Sequence, residues 1–241
     1  MQNKLIPFLL LAMPLLAQAE GVAPPRDIGV VVTVKQSPFV QGDTEIGGKP
    51  VILDRSGFDI PGLSWSFKKA PAHELYVGAS LDDWDHQRGD SAELSDMHEL
   101  DRAINLRVGA AWKLPAGVVM ADLAQDMAAH KGTQAKLRYT LNPAPHQARM
   151  RPYAEVQWLS ADVTDYYVGV DADEAKAGRP AYQADATFAL KAGVNLEQPL
   201  SPALTLVGGV DVTAYGSEVR DSPIIERSTL WGGQVGLAYR W

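Results

Sequence analysis

The last fourteen residues, STLWGGQVGLAYRW, alternate strictly in character. Trp231, Gly233, Val235, Leu237, Tyr239 and Trp241 share one face, while Leu230, Gly232, Gln234, Gly236, Ala238 and Arg240 share the other. A period of two is the pattern of a β-strand with two unlike faces. The two tryptophans are ten residues apart, roughly 33 Å of strand at ~3.3 Å per residue. Tilted by about 40°, such a strand rises roughly 25 Å, the height of the apolar band between the aromatic girdles of an outer-membrane barrel. Strands of soluble sandwiches seldom reach that length.

The same alternation recurs upstream. ADATFALKAGVNLE, ALTLVGGVDVTAY, INLRVGAAWK, TQAKLRYTL and RMRPYAEVQWL each set an apolar face against a polar, often charged one. The pattern predicts an all-β fold, a transmembrane antiparallel up-and-down β-barrel. About ten strands are expected, near 28–36, 51–67, 74–82, 103–113, 117–127, 132–141, 149–159, 184–196, 203–215 and 229–241. A break of the second near Ser56 and Gly57, with another weak strand, raises the count to twelve. Tight Pro- or Gly-containing turns at 68–73, 114–117, 142–148 and 197–202 alternate with longer polar connections at 36–50, 83–102, 160–183 and 216–228. A short turn at 128–132 completes the meander. Short periplasmic turns and longer outer loops are the arrangement of this barrel class.

The N-terminal residues fit that destination. Lys4, the apolar run Leu5 to Leu16 and the A-x-A site at Ala17 and Ala19 predict a secretory signal peptide over 1–19. Residues 20–241 are then a single barrel domain. The chain has no cysteine, so no disulfide, thiol chemistry or lipoprotein anchor is expected. Of the 22 basic residues Lys4 leaves with the leader, so 21 face 29 acidic ones, a net charge of −8. That balance disfavours nucleic acid as a partner. No run after the leader approaches 18 apolar residues, so no transmembrane helix is expected.

Chemistry is sparse. Residues 82–102 hold His86, His98, Asp82, Asp85, Asp96 and Glu99, donor types that suit zinc or calcium. Neither those residues nor Asp171 to Glu174 show compact ligand spacing, so a solvated acidic loop without metal or other cofactor is the expectation. A hydrolase would be sought at Ser91 and Ser95 near His98, or in an Asp/His arrangement of loop 82–102 with Asp126 and His130, but nothing orients a nucleophile and base and no Gly-x-Ser-x-Gly occurs. The inward set combines Arg107, Lys113, Lys136, Arg138, Arg149, Arg151, Lys191 and Arg240 with Asp122, Asp126, Glu155, Asp185, Glu197 and Asp211. Pairing across a narrow lumen is expected to fill it and keep conductance low.

The stretch TDYYVGVDADEAKAGRPAYQADA, residues 164–186, reads as mostly a long outer loop running into a strand. Its Tyr166, Tyr167, Gly169 and Val170, acidic Ala-containing turn and Gly-x-Pro-Ala-Tyr ending at Tyr182 resemble the signature loop of the MipA/OmpV family of outer-membrane barrels. DRSGFDIPGLSWSF, ADLAQDMAAHKGTQAKLRY and the ending DSPIIERSTLWGGQVGLAYRW are similar to that family's segments in the same order. The resemblance implies a scaffold without catalytic residues. Its namesake holds a lytic transglycosylase and a bifunctional penicillin-binding protein together in peptidoglycan remodelling; other members are described as adhesins or envelope-stress proteins. A narrow solute channel is a further alternative. The loop tyrosines then mark either packing over the mouth or a contact for a partner. Val235, Leu237, Tyr239 and Trp241 resemble the signal read by the barrel-assembly machinery, and lipid and lipopolysaccharide are the expected surroundings.

Overall fold

The computed structural model describes residues 26–54, 63–81, 84, 86–142 and 149–240. The leader with Ala17 and Ala19, the acidic residues Asp82 and Asp85, His146 and Trp241 lie outside the described residues. The strands are β1 (Arg26–Lys35), β2 (Glu45–Asp54), β3 (Leu63–Lys69), β4 (His73–Leu81), β5 (Ile104–Leu114), β6 (Gly117–Asp126), β7 (Thr133–Leu141), β8 (Arg149–Leu159), β9 (Thr187–Pro199), β10 (Leu204–Tyr215) and β11 (Thr229–Arg240). Helices α1 (Ala161–Val168) and α2 (Ser217–Arg220) sit in the connections.

All eleven strands join one antiparallel sheet in the order β2-β1-β11-β10-β9-β8-β7-β6-β5-β4-β3. The alternating sequences set the register. Val30, Val32, Leu106, Val108, Leu137, Leu190, Val210, Val235 and Leu237 lie exposed on one face. The opposite face buries Tyr76, Ala111, Val118 and Met120 in one cluster and Val31, Val207 and Ala238 in another. A face that leaves so many large aliphatic side chains uncovered requires an apolar environment to be stable. Among the described residues no helix is long and apolar enough to cross a membrane.

The strand expected over 51–67 is instead two described strands, β2 and β3, and β2 starts at Glu45 within the expected loop 36–50. The segment EIGGKP carries two glycines and a proline and has no apolar alternation, so periodicity misses it. It is held as a strand by its partner β1, from Lys35↔Glu45 to Arg26↔Asp54.

The interior charges pair, but between neighbouring strands rather than across a lumen. Arg107 Nη2 meets Asp122 Oδ2 at 2.9 Å, and the Tyr76 hydroxyl donates to the same carboxylate oxygen at 2.8 Å. Arg138 Nε donates to Glu155 at 2.9 Å while its guanidinium lies 4.2 Å from the centre of the Tyr153 ring. Lys191 and Asp211, and Arg240 and Asp27, follow the same rule at 3.3 and 3.1 Å. Residues opposite or diagonal on one face of a sheet are within reach of each other.

Candidate functional site

The connections at one end of the sheet fold together into a cap. They are the β1–β2 loop, the β4–β5 loop, the β8–β9 connection with α1, the short β6–β7 turn, and the β10–β11 connection with α2. The β4–β5 loop contains two 3-10 turns, Arg88–Asp90 and Ala92–Leu94. At the opposite end the described turns are brief.

Helix α1 overturns the expectation of a plain loop over 164–186. Val163, Tyr167 and Val168 are its buried side, at helical spacing. Eight residues are too few to hold a helix by propensity alone. Packing holds it: Val163, Tyr167 and Val168 join Trp84, Leu159, Ala184 and Val219 in one core. Tyr167 stacks on Trp84 at 4.9 Å between ring centroids, and Trp84 meets Tyr215 at 5.1 Å. Gly169 ends the helix where a Cβ would lie 2.4 Å from the Asp165 carbonyl oxygen. Phe39, Leu94, Met97, Val170 and Ile224 form a second core, which draws on all four longer connections.

The tyrosine pair therefore divides. Tyr167 is 3% exposed and belongs to the core. Tyr166 is half-buried, its hydroxyl donating to the Asp101 carbonyl at 3.1 Å, and burial raises its pKa. Val170 is buried and pairs with Tyr182 through two backbone bonds of 2.8 and 3.0 Å. The Tyr182 hydroxyl donates to the Glu218 carbonyl at 2.9 Å. Gly169, Val170, Tyr166, Tyr167 and Tyr182 are thus brought together, chiefly as cap structure.

Ion pairs join the loops. Arg88 Nη1 donates to Glu174 Oε1 at 3.0 Å, its Nη2 to the Gly169 and Tyr166 carbonyls at 3.1 and 3.4 Å. Both side chains are nearly sealed, with 8% and 3% exposed. Burial pushes the Arg88 pKa down, opposed by the charge of Glu174. Arg179 grips Asp96 with two bonds of 2.9 and 2.8 Å and donates to the Glu174 carbonyl at 2.8 Å. Arg179 and Lys176 hold the Asp96 carboxyl far below its usual range. Gly178 turns the chain between Lys176 and Arg179 at φ 86, the left-handed region glycine adopts without strain. The Ser222 hydroxyl closes the β10–β11 connection onto the Val168 carbonyl at 2.6 Å.

The residues considered for hydrolysis do other work. Ser91 and Ser95 donate their hydroxyls to the carbonyls of Val40 and Ala92. The Asp126 carboxylate accepts from the backbone nitrogens of Ile104, Ala128, His130 and Lys131 at 2.7–3.0 Å, which fixes the β6–β7 turn. His130 Nδ1 accepts from Gly132 N at 2.9 Å, and its buried ring lies against Tyr166 and Tyr167. Of the candidate metal ligands, His86 pairs with Glu45 at 3.0 Å and Asp96 is engaged with Arg179, while His98 meets Asp171 and Glu174 instead. Arg88, Glu174, Arg179 and Trp84 carry the cap, yet none has a local signal in the sequence. Arg88 and Glu174 are separated by 86 positions.

Beneath the aromatic core lies a cavity of about 40 Å³ lined by Trp84, Gln134, Glu155, Gln157, Lys191 and Thr213 among others. It has room for only a few waters. On the outward face Val235, Leu237 and Tyr239 of β11 are exposed as the alternation requires. With Ile28, Val30 and Val32 of β1 they line an open apolar groove of about 420 Å³.

Comparison with known proteins places this geometry. Outer membrane protein Omp26La of Vibrio anguillarum is 33% identical over 90 residues, 37% of this chain and 35% of that protein. Outer membrane protein OmpV of Vibrio cholerae serotype O1 is 31% identical over 94 residues, 39% of this chain and 37% of that protein. The match therefore spans little more than a third of the length of those two relatives. The putative outer membrane protein YiaT of Escherichia coli O157:H7 is 23% identical, with 96% of each chain covered. Among solved structures, the outer membrane protein OprG of Pseudomonas aeruginosa aligns over 91% of this chain and 96% of its own at 11% identity, with a TM-score of 0.28. The model of the family described as MltA-interacting protein MipA matches residues 28–241. The chain is an outer-membrane protein, and it belongs to the MipA family.

Proposed function

We propose that this chain is a closed, non-conducting β-barrel that works as an interaction scaffold, with enzymes of peptidoglycan turnover as its periplasmic partners. The folded cap carries the reading. Its loops bury two apolar cores and a network of ion pairs, which is the build of a fixed surface and not of an open mouth. Closure is supported at the sheet's edges. Glu45 opens edge strand β2, yet it touches His86, which follows β4 next to the other edge. Strand β2 finishes beside Arg26 at the turn end, while β3 begins beside Ala79 at the loop end. The two edges therefore run in the same direction, and antiparallel closure takes an even count; twelve strands fit it.

The pairing of Arg107 with Asp122, Arg138 with Glu155 and Lys191 with Asp211 neutralises charge along the interior face, which supports the low conductance expected from the sequence. The periplasmic partners follow from the family's description, which names a lytic transglycosylase interactor; a bifunctional penicillin-binding protein is the second candidate. Among the described residues of the cap, Ser91, Ser95, Asp126 and His130 are engaged in holding turns and loops, which supports a chain that acts by binding.

Photo-crosslinkers at Ala116, in the exposed β5–β6 turn, and at Asp173, on the cap, test this in intact envelopes. Tyr167 is buried and cannot serve as the outer probe. Transglycosylase or penicillin-binding protein recovered from Ala116 supports the scaffold. Capture from Asp173 alone refutes it in favour of an adhesin, and defined single-channel steps refute the non-conducting barrel.

A further inference from the structure

His98, Asp171 and Glu174 each place a ligating atom within 4.8 Å of the other two. We infer that these side chains form a site for one divalent cation of the zinc class, an ion that staples the β4–β5 loop to the β8–β9 connection. The inference does not rest on the scaffold reading, since it concerns the cap alone.

The ligand set is arranged before any ion arrives. Residues 171–174 form a turn closed by Glu174 N donating to the Asp171 carbonyl at 3.0 Å, which brings the side chains of its first and last residues together. The Glu174 carboxylate is 3% exposed and fixed by three donors: Arg88 Nη1 at 3.0 Å and His98 N at 2.8 Å on Oε1, and Asp171 N at 3.2 Å on Oε2. Oε1 thus carries two donors, while Oε2 carries one and keeps a lone pair for an ion, on a carboxylate that loses little freedom on binding it. His98 then crosses from the other loop, with Nδ1 at 3.4 Å from Glu174 Oε1. The second ring nitrogen, Nε2, faces Asp173 Oδ2 at 3.6 Å. A carboxylate behind the free nitrogen is what orients a ligating histidine and raises its basicity.

The donor chemistry selects the ion. One imidazole with two carboxylates suits zinc and its first-row neighbours. Calcium takes six to eight oxygen ligands, and magnesium keeps an octahedral shell of water and oxygens, so neither gains from the imidazole. Arg179 opposes a cation but is matched by Asp96, while Arg88 shares the Glu174 carboxylate with the ion, so the acidic charge of the site comes from Asp171 and Asp173. Asp171 and Asp173 add two exposed acidic groups beside them. His98 and Asp171 are exposed, so the ion has direct access from solvent. Sequence spacing could not reveal this set, because Asp171 and Glu174 lie more than seventy positions from His98.

The test is zinc titration of the full chain refolded in detergent, read by competition with a chromophoric chelator. One equivalent of zinc is expected to bind, and His98→Ala or Asp171→Asn should weaken it at least about 10- to 100-fold. Both side chains are exposed, and heat-modifiable migration on gels verifies that each variant folds. His73→Ala, at the far end of the sheet, should bind as the native chain does. Zinc should also slow proteolysis within residues 171–183 in the native chain and not in His98→Ala. Absence of stoichiometric binding, equal affinity in His98→Ala and Asp171→Asn, or competition by calcium at equal concentration would each overturn the assignment.

Discussion

Replacing Arg88 by methionine isolates the forces that hold the cap. The substitution keeps an aliphatic stem but removes the guanidinium that bonds Glu174 Oε1 and the carbonyls of Gly169 and Tyr166. Glu174 is then a carboxylate with 3% of its side chain exposed, supported by two backbone donors and by His98 Nδ1 at 3.4 Å. Removing one partner of a buried ion pair costs about 3–5 kcal/mol, because the remaining charge is uncompensated. The sheet need not unfold for this to register, since loops open locally. A cost of that size raises the open fraction of the cap by about 140- to 4000-fold at ~1.4 kcal/mol per factor of ten. Limited proteolysis within residues 171–183, at protease levels where cleavage is slower than reclosing, reads that fraction directly. Adding Glu174→Gln to Arg88→Met removes the stranded charge and should return most of the protection. The reasoning fails if Arg88→Met alters cleavage by less than about tenfold, or if the double variant is no better than the single.

Three other outcomes follow from the same coordinates. Burial, reinforced by the neighbouring Glu45 carboxyl and opposed by the Gln87 backbone bond, raises the Asp90 pKa to about 6 from 3.8. A raised folded-state pKa means stability present below about pH 4 and lost as pH climbs through 6, so the cap should resist protease better at pH 5 than at pH 7, and Asp90→Asn should remove that part of the dependence. Gly236→Val should abolish refolding in detergent, since a Cβ there would lie 2.0 Å from the Val30 carbonyl oxygen, whereas Gly233→Val, whose nearest contact is at 3.7 Å, should refold normally. Inside the sheet, Asp122→Ala removes the carboxylate that pairs with Arg107 and accepts from Tyr76 and should lower unfolding stability by about 3–5 kcal/mol, against about 1 kcal/mol for Tyr76→Phe, both measured in urea.

The alternation by itself determined the strands. Nine of the ten expected strands overlap described ones closely, for instance 149–159 with Arg149–Leu159 and 203–215 with Leu204–Tyr215. Each residue's side of a strand is fixed by its neighbours one and two places away, so a period of two survives in the bare sequence. The exception is instructive. Residues 45–50 carry no apolar period, and only their ladder with β1 makes them a strand. Likewise Ala161–Val168 offers just two turns of helical spacing, too short to be read without the Trp84 and Val219 surfaces it packs against.

The cap belongs wholly to the tertiary structure. The sequence singled out His86, His98, Asp96, Tyr166 and Tyr167 by residue type, but could not say that Tyr167 is core, that Asp96 answers Arg179, or that His98 meets Asp171 and Glu174. Those partners lie tens of positions apart along the chain and come together only because the strands carry the ends of their loops to the same place. Strand character is a local property of alternating side chains; a buried charge and its partner are chosen by the fold, because the cost of isolating either one is felt only after distant loops have closed over both.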